Sequence, residues 1–357
     1  MKATNLNGLR DKIDRCDAQI VHLLNQRAAL ASEIGKVKSR SKTGPYDPAR
    51  ERAIIKNIAD LNRGPLSASS LASIYREIMS ASLALEKNVV VAYMGPPSSF
   101  SHQAALRRFG ASVKYLDCDT IDYVFERVQK READYGVVPI ENLIEGAIAN
   151  TLDRLAETDL KICAEIYQPI EHYLLASGPR KAIRRVATNP YVFGQCRRWL
   201  KNEMPDIELV PVTSTARAAE MASRDKHTAA IASKFAAQIY KLKMLGKDIQ
   251  DISGNITRFL VIGNSFSKRT GHDKTSLLFS LKHRSGSLHR ALGALKKYRL
   301  NMTKIESRPN RLKAWEYLFF VDIEGHVEDA KVSRALRELD RHCQLMTILG
   351  SYPKATE

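Results

Sequence analysis

Aromatic residues are scarce in this 357-residue chain, at 7% including two tryptophans. Five cysteines are present, Cys16, Cys118, Cys163, Cys196 and Cys343, and none forms a CxxC pair. An odd count without metal-ligand spacing argues against a zinc site or a disulfide framework. Buried free thiols, with no metal and no cofactor, are the expectation. No apolar run approaches the length of a membrane span. The N-terminus shows no apolar signal-peptide core, and Asp11 and Asp14 argue against a transit peptide. A cytoplasmic protein that avoids membranes is expected. Acidic residues are outnumbered, 39 against 56 Lys and Arg, for a net charge of +17. The excess lies at both ends of the chain, in no single tract. No basic stripe with interleaved aromatics accompanies it, so no nucleic-acid partner is expected and small anions fit better.

What is present is a long amphipathic helix, expected from about Asn5 to Ser39. Leu9, Ile13, Cys16, Ile20, Leu23, Leu24, Leu30, Ile34 and Val37 recur in steps of three and four. Arg27 lies in register with that stripe, and a cation on a buried face requires an anion. Lys38 is eleven residues on, about 20° around the axis and about 16 Å along it. Both side chains can therefore converge on one small anion. Arg10 lies about 25 Å from Arg27 and can meet the same ligand only from a second copy of the chain. Solvated or snorkelling charges are the plainer alternative.

A basic turn, Lys36 to Lys42, precedes a break at Gly44-Pro45. Asp47 followed by Pro48 then signals a helix start. That second helix is expected to end near Leu61, before Asn62-Arg63-Gly64-Pro65. Ser67 to Glu86 reads as a third. Three helices with a first one about 50 Å long bury their stripes poorly alone, and a helical dimer solves this. Leu9-Arg10-Asp11-Lys12-Ile13, Gly35-Lys36-Val37-Lys38, Asp47-Pro48-Ala49-Arg50-Glu51 and Ile78 through Glu86 resemble the all-helical chorismate mutases. The resemblance implies a chorismate site built from Arg10, Arg27, Lys38, Asp47, Arg50, Glu51, Ser82 and Glu86, with Arg10 crossing from the partner subunit. Two arginines could pair the two substrate carboxylates. Lys38 and Glu86 would stabilise charge growing on the ether oxygen. A glutamate donates a hydrogen bond only when protonated, so the rate is expected to fall as pH rises and Glu86→Gln to flatten the profile.

From Asn88 strands and helices alternate, which predicts α/β architecture. Val89–Tyr93, Val113–Leu116 and Tyr135–Pro139 read as strands of a first unit. A second unit starts near Arg184, and Asn255–Ile262 returns to strand, so two lobes with a crossover should enclose a cleft. The Asn255-Ile256-Thr257-Arg258-Phe259 run, Val138-Pro139-Ile140-Glu141-Asn142 and Gln195-Cys196 resemble prephenate dehydratase. The implied fold is a two-lobed, periplasmic-binding-protein-like α/β domain. Thr257 would protonate the departing hydroxyl as carbon dioxide leaves. Ser99, Ser101, Glu141, Asn142, Thr188, Gln195, Thr215 and Phe259 would line the prephenate cleft, with Arg258 a carboxylate anchor or a structural ion pair. The chain departs from the family pattern at Ser98-Ser99, where Gly-Thr is usual. It departs again at Leu143, where Ser or Thr is common, and at Asn189 and Tyr191 within Thr188-Asn189-Pro190-Tyr191.

After a polar stretch from Asn264 to Asp273, the order βαββαβ is expected, a ferredoxin-like pattern. It resembles the ACT regulatory domain. Gly286-Ser287-Leu288 stands where Gly-Ala-Leu is usual, Ser285 replaces a common proline, and Glu306-Ser307-Arg308-Pro309 is intact. Both motifs are implied phenylalanine contacts at an inter-subunit interface. The expected organisation is 1–88 mutase, 89–265 dehydratase and 274–352 ACT. The implied protein is a bifunctional enzyme of phenylalanine biosynthesis, inhibited by L-phenylalanine. It would be a homodimer sharing mutase sites, or a homotetramer. Two alternatives remain at this point: an active mutase fused to an amino-acid-responsive dehydratase-like module, and a basic nucleic-acid-binding regulator with an ACT sensor.

Overall fold

In a computed structural model of the chain, residues 6–41, 46–310 and 316–355 are described. The expected Gly44-Pro45 break lies outside them. Contacts divide the chain into two compact units, Met1–Val89 with Phe109–Lys114, and Val90–Arg108 with Tyr115–Glu357. No helix among the described residues is long and apolar enough to cross a membrane.

The first unit holds α1 (Leu6–Ser41), α2 (Pro48–Leu61) and α3 (Ala68–Glu86). Asp47 caps α2 by accepting from the Arg50 amide at 3.0 Å, and Pro48 takes the first helical position, where it has no hydrogen bond to lose. Ser67 caps α3 through the Ser70 amide at 3.0 Å. Much of the α1 stripe has no cover within one chain: Leu9, Ile13, Ile20, Leu23 and Leu30 are 43%, 59%, 52%, 61% and 61% exposed. An apolar stripe of that extent marks an interaction surface.

The second unit begins with a lobe of β1 (Val90–Met94), α4 (Phe100–Phe109), β2 (Lys114–Cys118), α5 (Ile121–Gln129), β3 (Tyr135–Asn142), β4 (Gly146–Ala147), α6 (Ala149–Glu157) and β5 (Lys161–Pro169). The second lobe holds β6 (Tyr173–Ala176), β7 (Arg185–Thr188), α7 (Pro190–Gln195), α8 (Arg197–Glu203), β8 (Glu208–Pro211), α9 (Thr215–Arg224), β9 (Thr228–Ala232), α10 (Lys234–Ile239) and β10 (Lys243–Gly246). Its sheet runs β10-β6-β9-β7-β8. Strand β11 (Ile256–Gly263) then returns to the first lobe between β5 and β3, as expected for a crossover.

The C-terminal part follows the βαββαβ order: β12 (Asp273–Leu281), α11 (Ser287–Lys297), β13 (Met302–Pro309), β14 (Tyr317–Glu324), α12 (Ala330–Asp340) and β15 (Cys343–Pro353). Its strands continue the first lobe's sheet in the order β13-β14-β12-β15-β5-β11-β3-β1-β2, with β4 on β3. The joint is β15 against β5, where Gly350 pairs with Ile162. A Cβ on Gly350 would lie 2.3 Å from the Ile162 carbonyl oxygen, so only glycine fits there. Strands β13 and β3 stand six places apart, about 29 Å in a flat sheet. Yet Lys304 on β13 meets Glu141 on β3 at 2.8 Å. The sheet therefore curls over itself. The enclosed core joins Leu278, Phe320, Leu349 and Tyr352 to Val138, Leu152, Leu155 and Leu260. Residues 264–273 lie in the same compact unit as the strands on either side.

Candidate functional sites

In the helical unit, two cations of α1 meet two residues one turn apart on α3. Arg27 donates to Ser82 Oγ, and Ser82 in turn donates to the Ile78 carbonyl at 2.8 Å. Lys38 Nζ pairs with Glu86 Oε2 at 2.9 Å, both largely withdrawn from solvent. A Cβ on Gly35 would come within 2.9 Å of Glu86 Cα, so this glycine lets the two helices approach at the ion pair. Within one chain, the two cations expected to converge on one anion each meet a different side chain of α3. Arg10 and Arg50 are exposed, while Asp47 serves as the α2 cap with Glu51 half-buried in its first turn.

In the second unit a chain of contacts runs through the sequence-predicted cleft. Asn142 Nδ2 donates to Thr257 Oγ1 at 2.8 Å across the β3–β11 register. Asn142 Oδ1 accepts from the amides of Ile144 at 3.0 Å and Glu145 at 3.1 Å, which fixes the amide's orientation. Glu145 Oε1 accepts from Gln195 Nε2 at 2.8 Å, and Gln195 Oε1 lies 2.9 Å from His172 Nε2. Burial holds the His172 imidazole below its ordinary pKa against the opposing effect of Gln195. The ring is therefore neutral at pH 7 and donates from Nε2, leaving the buried Nδ1 without a partner among the described residues. The His172 ring stands edge-on to Phe100, 5.9 Å away, between Ser99 and Ser101. A 280 Å³ cavity opens beside Gln195, lined also by Glu145, Tyr191, Arg198 and Asn255.

Other expected cleft residues have evident structural duties. Ser99 Oγ donates to the Met94 carbonyl at 3.0 Å and accepts from the His102 amide at 3.2 Å, capping α4. Ser101 and Phe259 are buried. Buried Thr188 donates to the Ile231 carbonyl at 2.7 Å, and Thr215 opens α9 behind the Ser214 cap. Asn189, a departure from the family pattern, caps α7 through the Tyr191 amide at 3.1 Å. Leu143 and Tyr191 are exposed at 70% and 71%, so neither substitution costs packing. Ser98 sits at φ 71°, the left-handed region that favours the family's glycine.

Alternation along a strand sends neighbours to opposite faces. Thr257 and Asn142 form one rung of β11 and β3, and Arg258 and Glu141 form the next. Arg258 therefore points away from the Thr257 face, into a buried network. Its Nε donates to Glu165 at 2.8 Å, one Nη to Asp322 at 2.6 Å and the other to the Tyr352 hydroxyl at 3.0 Å. Lys274 donates to the same Glu165 at 2.7 Å. Burial and Asp322 push the Tyr352 hydroxyl well above its ordinary pKa, so it remains neutral. Glu141 lies on this face too, 2.8 Å from Lys304 and 4.0 Å from Arg258. Of the two roles anticipated for Arg258, its contacts match the ion pair, and Glu141 shares that face.

The two expected phenylalanine motifs occupy separate elements. Gly286 adopts φ 75° before α11, with Ser287 and Leu288 in its first turn. Glu306, Ser307, Arg308 and Pro309 end β13, and Arg308 Nη2 donates to both Asp153 oxygens at 3.1 Å. Of the five thiols Cys118, Cys163 and Cys196 are buried and Cys343 is half-buried, but Cys16 is exposed in the single chain. Its stripe, expected to be buried, has no cover within one chain. No metal-ligand cluster occurs among the described residues.

Three family models match in this order: chorismate mutase type II over residues 9–87, prephenate dehydratase over 91–267 and the ACT domain over 275–341. The bifunctional chorismate mutase/prephenate dehydratase of Aquifex aeolicus is 48% identical over 355 residues, covering 98% of each chain. A solved prephenate dehydratase from Arthrobacter aurescens, in complex with L-Phe, is 33% identical at TM-score 0.69, covering 75% of this chain and 90% of that one. A structure described as GqqA, a novel type of quorum quenching acylase, is 30% identical at TM-score 0.68, covering 74% and 98%. One fold can host different chemistries, so the site must carry the functional argument.

Proposed function

The chain belongs to the bifunctional chorismate mutase/prephenate dehydratase family, and from that premise we propose how its residues perform the two reactions. Chorismate is rearranged to prephenate, and prephenate loses carbon dioxide and water to give phenylpyruvate. Three segments divide this work: 1–88 for the mutase, 89–265 for the dehydratase and 274–352 for ACT regulation. The protein acts in the cytoplasm.

The mutase step is unimolecular and needs no nucleophile, so positioning and charge stabilisation supply its catalysis. Arg27 and the partner chain's copy of Arg10 clamp the two substrate carboxylates, with Arg50, Asp47, Glu51 and Ser82 completing the site. Lys38 donates to the ether oxygen as its bond breaks. The Lys38–Glu86 pair at 2.9 Å carries this reading. Glu86 acts with Lys38 at that oxygen, and Glu86→Gln should lower the mutase rate. The uncovered α1 stripe supports a homodimer, which would bring Arg10 of one chain to Arg27 of the other.

In the dehydratase the Thr257–Asn142 bond carries the reading. Asn142 spends one N–H on Thr257 Oγ1 and leaves that hydroxyl's own proton to be given. The departing hydroxyl takes the proton and leaves as water, the carboxylate leaves as carbon dioxide, and the electrons of its C–C bond complete the aromatic ring. Gln195 and Asn142 hold the substrate's polar groups, and the cavity beside Gln195, with Arg198 on its wall, accommodates the anion. L-Phenylalanine binds the ACT segment through 286–288 and 306–309 and inhibits by favouring a closed cleft. Both activities should be measured on one preparation, with and without phenylalanine. Wild type should yield phenylpyruvate absorbance in alkali and Thr257→Ala should not. Equal yields from the two would defeat the assignment.

A further inference from the structure

We infer that Lys304, with Asp322 beside it, is a positioning residue for the dehydratase, holding the Glu141–Arg258 rung that sets the adjacent Asn142–Thr257 rung. The inference rests on the dehydratase reading above. Both residues belong to the ACT segment, on β13 and β14, whereas the rung lies on β3 and β11. Arg258 and Glu141 each precede or follow a site residue by one peptide, so neither can shift without moving it. Thr257 and Asn142 meet at 2.8 Å, and on the opposite face Arg258 is held by Glu165 of β5 and by the ACT segment, while Glu141 is held by the ACT segment. Asp322 Oδ2 takes Arg258 at 2.6 Å, and Lys304 takes Glu141 at 2.8 Å.

The charges around the rung balance, with Arg258, Lys274 and Lys304 against Glu165, Asp322 and Glu141. Five of the six side chains are 10% exposed or less, so the low dielectric holds them in one arrangement. Glu141, at 40%, is the exception. Without Lys304 it has an open route to water, and the strand end is held by its backbone ladder without the side-chain tether. Arg308 repeats the device on the same face of β13, gripping Asp153 on α6. Strand β13 is thus tied at two points to the lobe that carries Asn142.

The test uses full-length protein and steady-state phenylpyruvate formation. Lys304→Gln is chosen because its partner is half-exposed, so the fold should survive, and mutase activity in the same tube checks the preparation. Lys304→Gln should lower kcat about tenfold, with KM changed less than about twofold, because small misplacements of reacting groups cost that much. Lys304→Arg should restore most of the loss. The double variant Lys304→Gln/Glu141→Gln should be no slower than Glu141→Gln alone, since one acts through the other. Lys297→Gln, which breaks an exposed pair with Glu338 between the two ACT helices, should leave kcat unchanged. A Lys304→Gln kcat within about twofold of wild type, or losses that multiply in the double variant, overturn the inference while Thr257→Ala still abolishes activity. Wild type without phenylpyruvate, or Thr257→Ala at full rate, overturns the dehydratase reading itself.

Discussion

If each mutase site takes Arg27 and Lys38 from one chain and Arg10 from the other, two inactive variants should rescue each other. The geometry sets the size of the effect. Arg10 is exposed on α1 and about 25 Å along the axis from Arg27, which itself is turned onto Ser82. No single chain can place both on a ligand as small as chorismate. Truncating one arginine of a buried carboxylate pair costs about 2–5 kcal/mol. That is at least about a thirtyfold loss of kcat/KM, so Arg10→Ala and Arg27→Ala homodimers should each retain less than about 3% of wild-type activity. In an equal mixture re-associated at random, about half of the dimers are mixed. A mixed dimer has one site with both arginines and one with neither, so about a quarter of the wild-type activity should return. Chorismate consumption is followed by absorbance, and native mass spectrometry with one chain isotope-labelled verifies the exchange. Verified heterodimers no more active than the parent variants would refute the shared site. So would a fully active Arg10→Ala enzyme.

Three further outcomes follow from local geometry. Ser98→Gly should stabilise the protein by about 1 kcal/mol, seen as a higher urea midpoint. It removes the left-handed backbone cost at φ 71° and a buried hydroxyl without a partner among the described residues, which together exceed glycine's entropic cost. A lower midpoint would refute this account. Gly350→Ala should destabilise by about 3 kcal/mol, since its Cβ would lie 2.3 Å from the Ile162 carbonyl oxygen at the β5–β15 joint. An unchanged Tm would show that the joint is looser than described. Burial pushes the Cys163, Cys196 and Cys343 thiols up to about 12, and these groups hold their protons around neutral pH. At pH 8 an alkylating reagent should therefore modify exposed Cys16 first, with all five reacting after denaturation. Rapid native labelling of Cys163 would contradict its burial.

The helical unit was legible because its signals are local. The period of the α1 stripe, the Asp47-Pro48 start and the Ser67 cap each act within a few residues. Exposure of Cys16 was not legible, because a stripe seeking cover looks the same whether one chain or two supply it. In the α/β region the strands flanked by glycine and proline could be read, but β5 and β6 were missed. They follow one another without a helix between, which the alternating βα rhythm does not anticipate. Motif resemblance names Asn142, Gln195 and Thr257, but not His172 and Glu145, which the structure joins to them by hydrogen bonds; a lone histidine carries no spacing signal.

The buried network left one sign in the sequence. Glu165 interrupts the apolar run Ile162-Cys163-Ala164-Glu165-Ile166, and Asp322 interrupts Phe319-Phe320-Val321-Asp322-Ile323. A carboxylate inside an apolar strand demands a buried cation, so both acids announce partners without naming them. Strand alternation adds that Arg258 must face away from Thr257. Neither rule says that Asp322 and Tyr352 for Arg258, and Lys304 for Glu141, come from a segment sixty and more residues later in the chain. That depends on the curl of the sheet, which brings β13 over β3 although they are six strands apart. The result is one strand pair with two faces in use. Thr257 and Asn142 share one face, and Arg258 and Glu141 share the other, which meets the ACT strands. A regulator that displaced β13 by even a fraction of an ångström would have to break or carry with it the Lys304–Glu141 and Arg308–Asp153 bonds. Because Glu141 and Asn142 share a peptide, that displacement reaches the group that orients Thr257 without passing through the substrate.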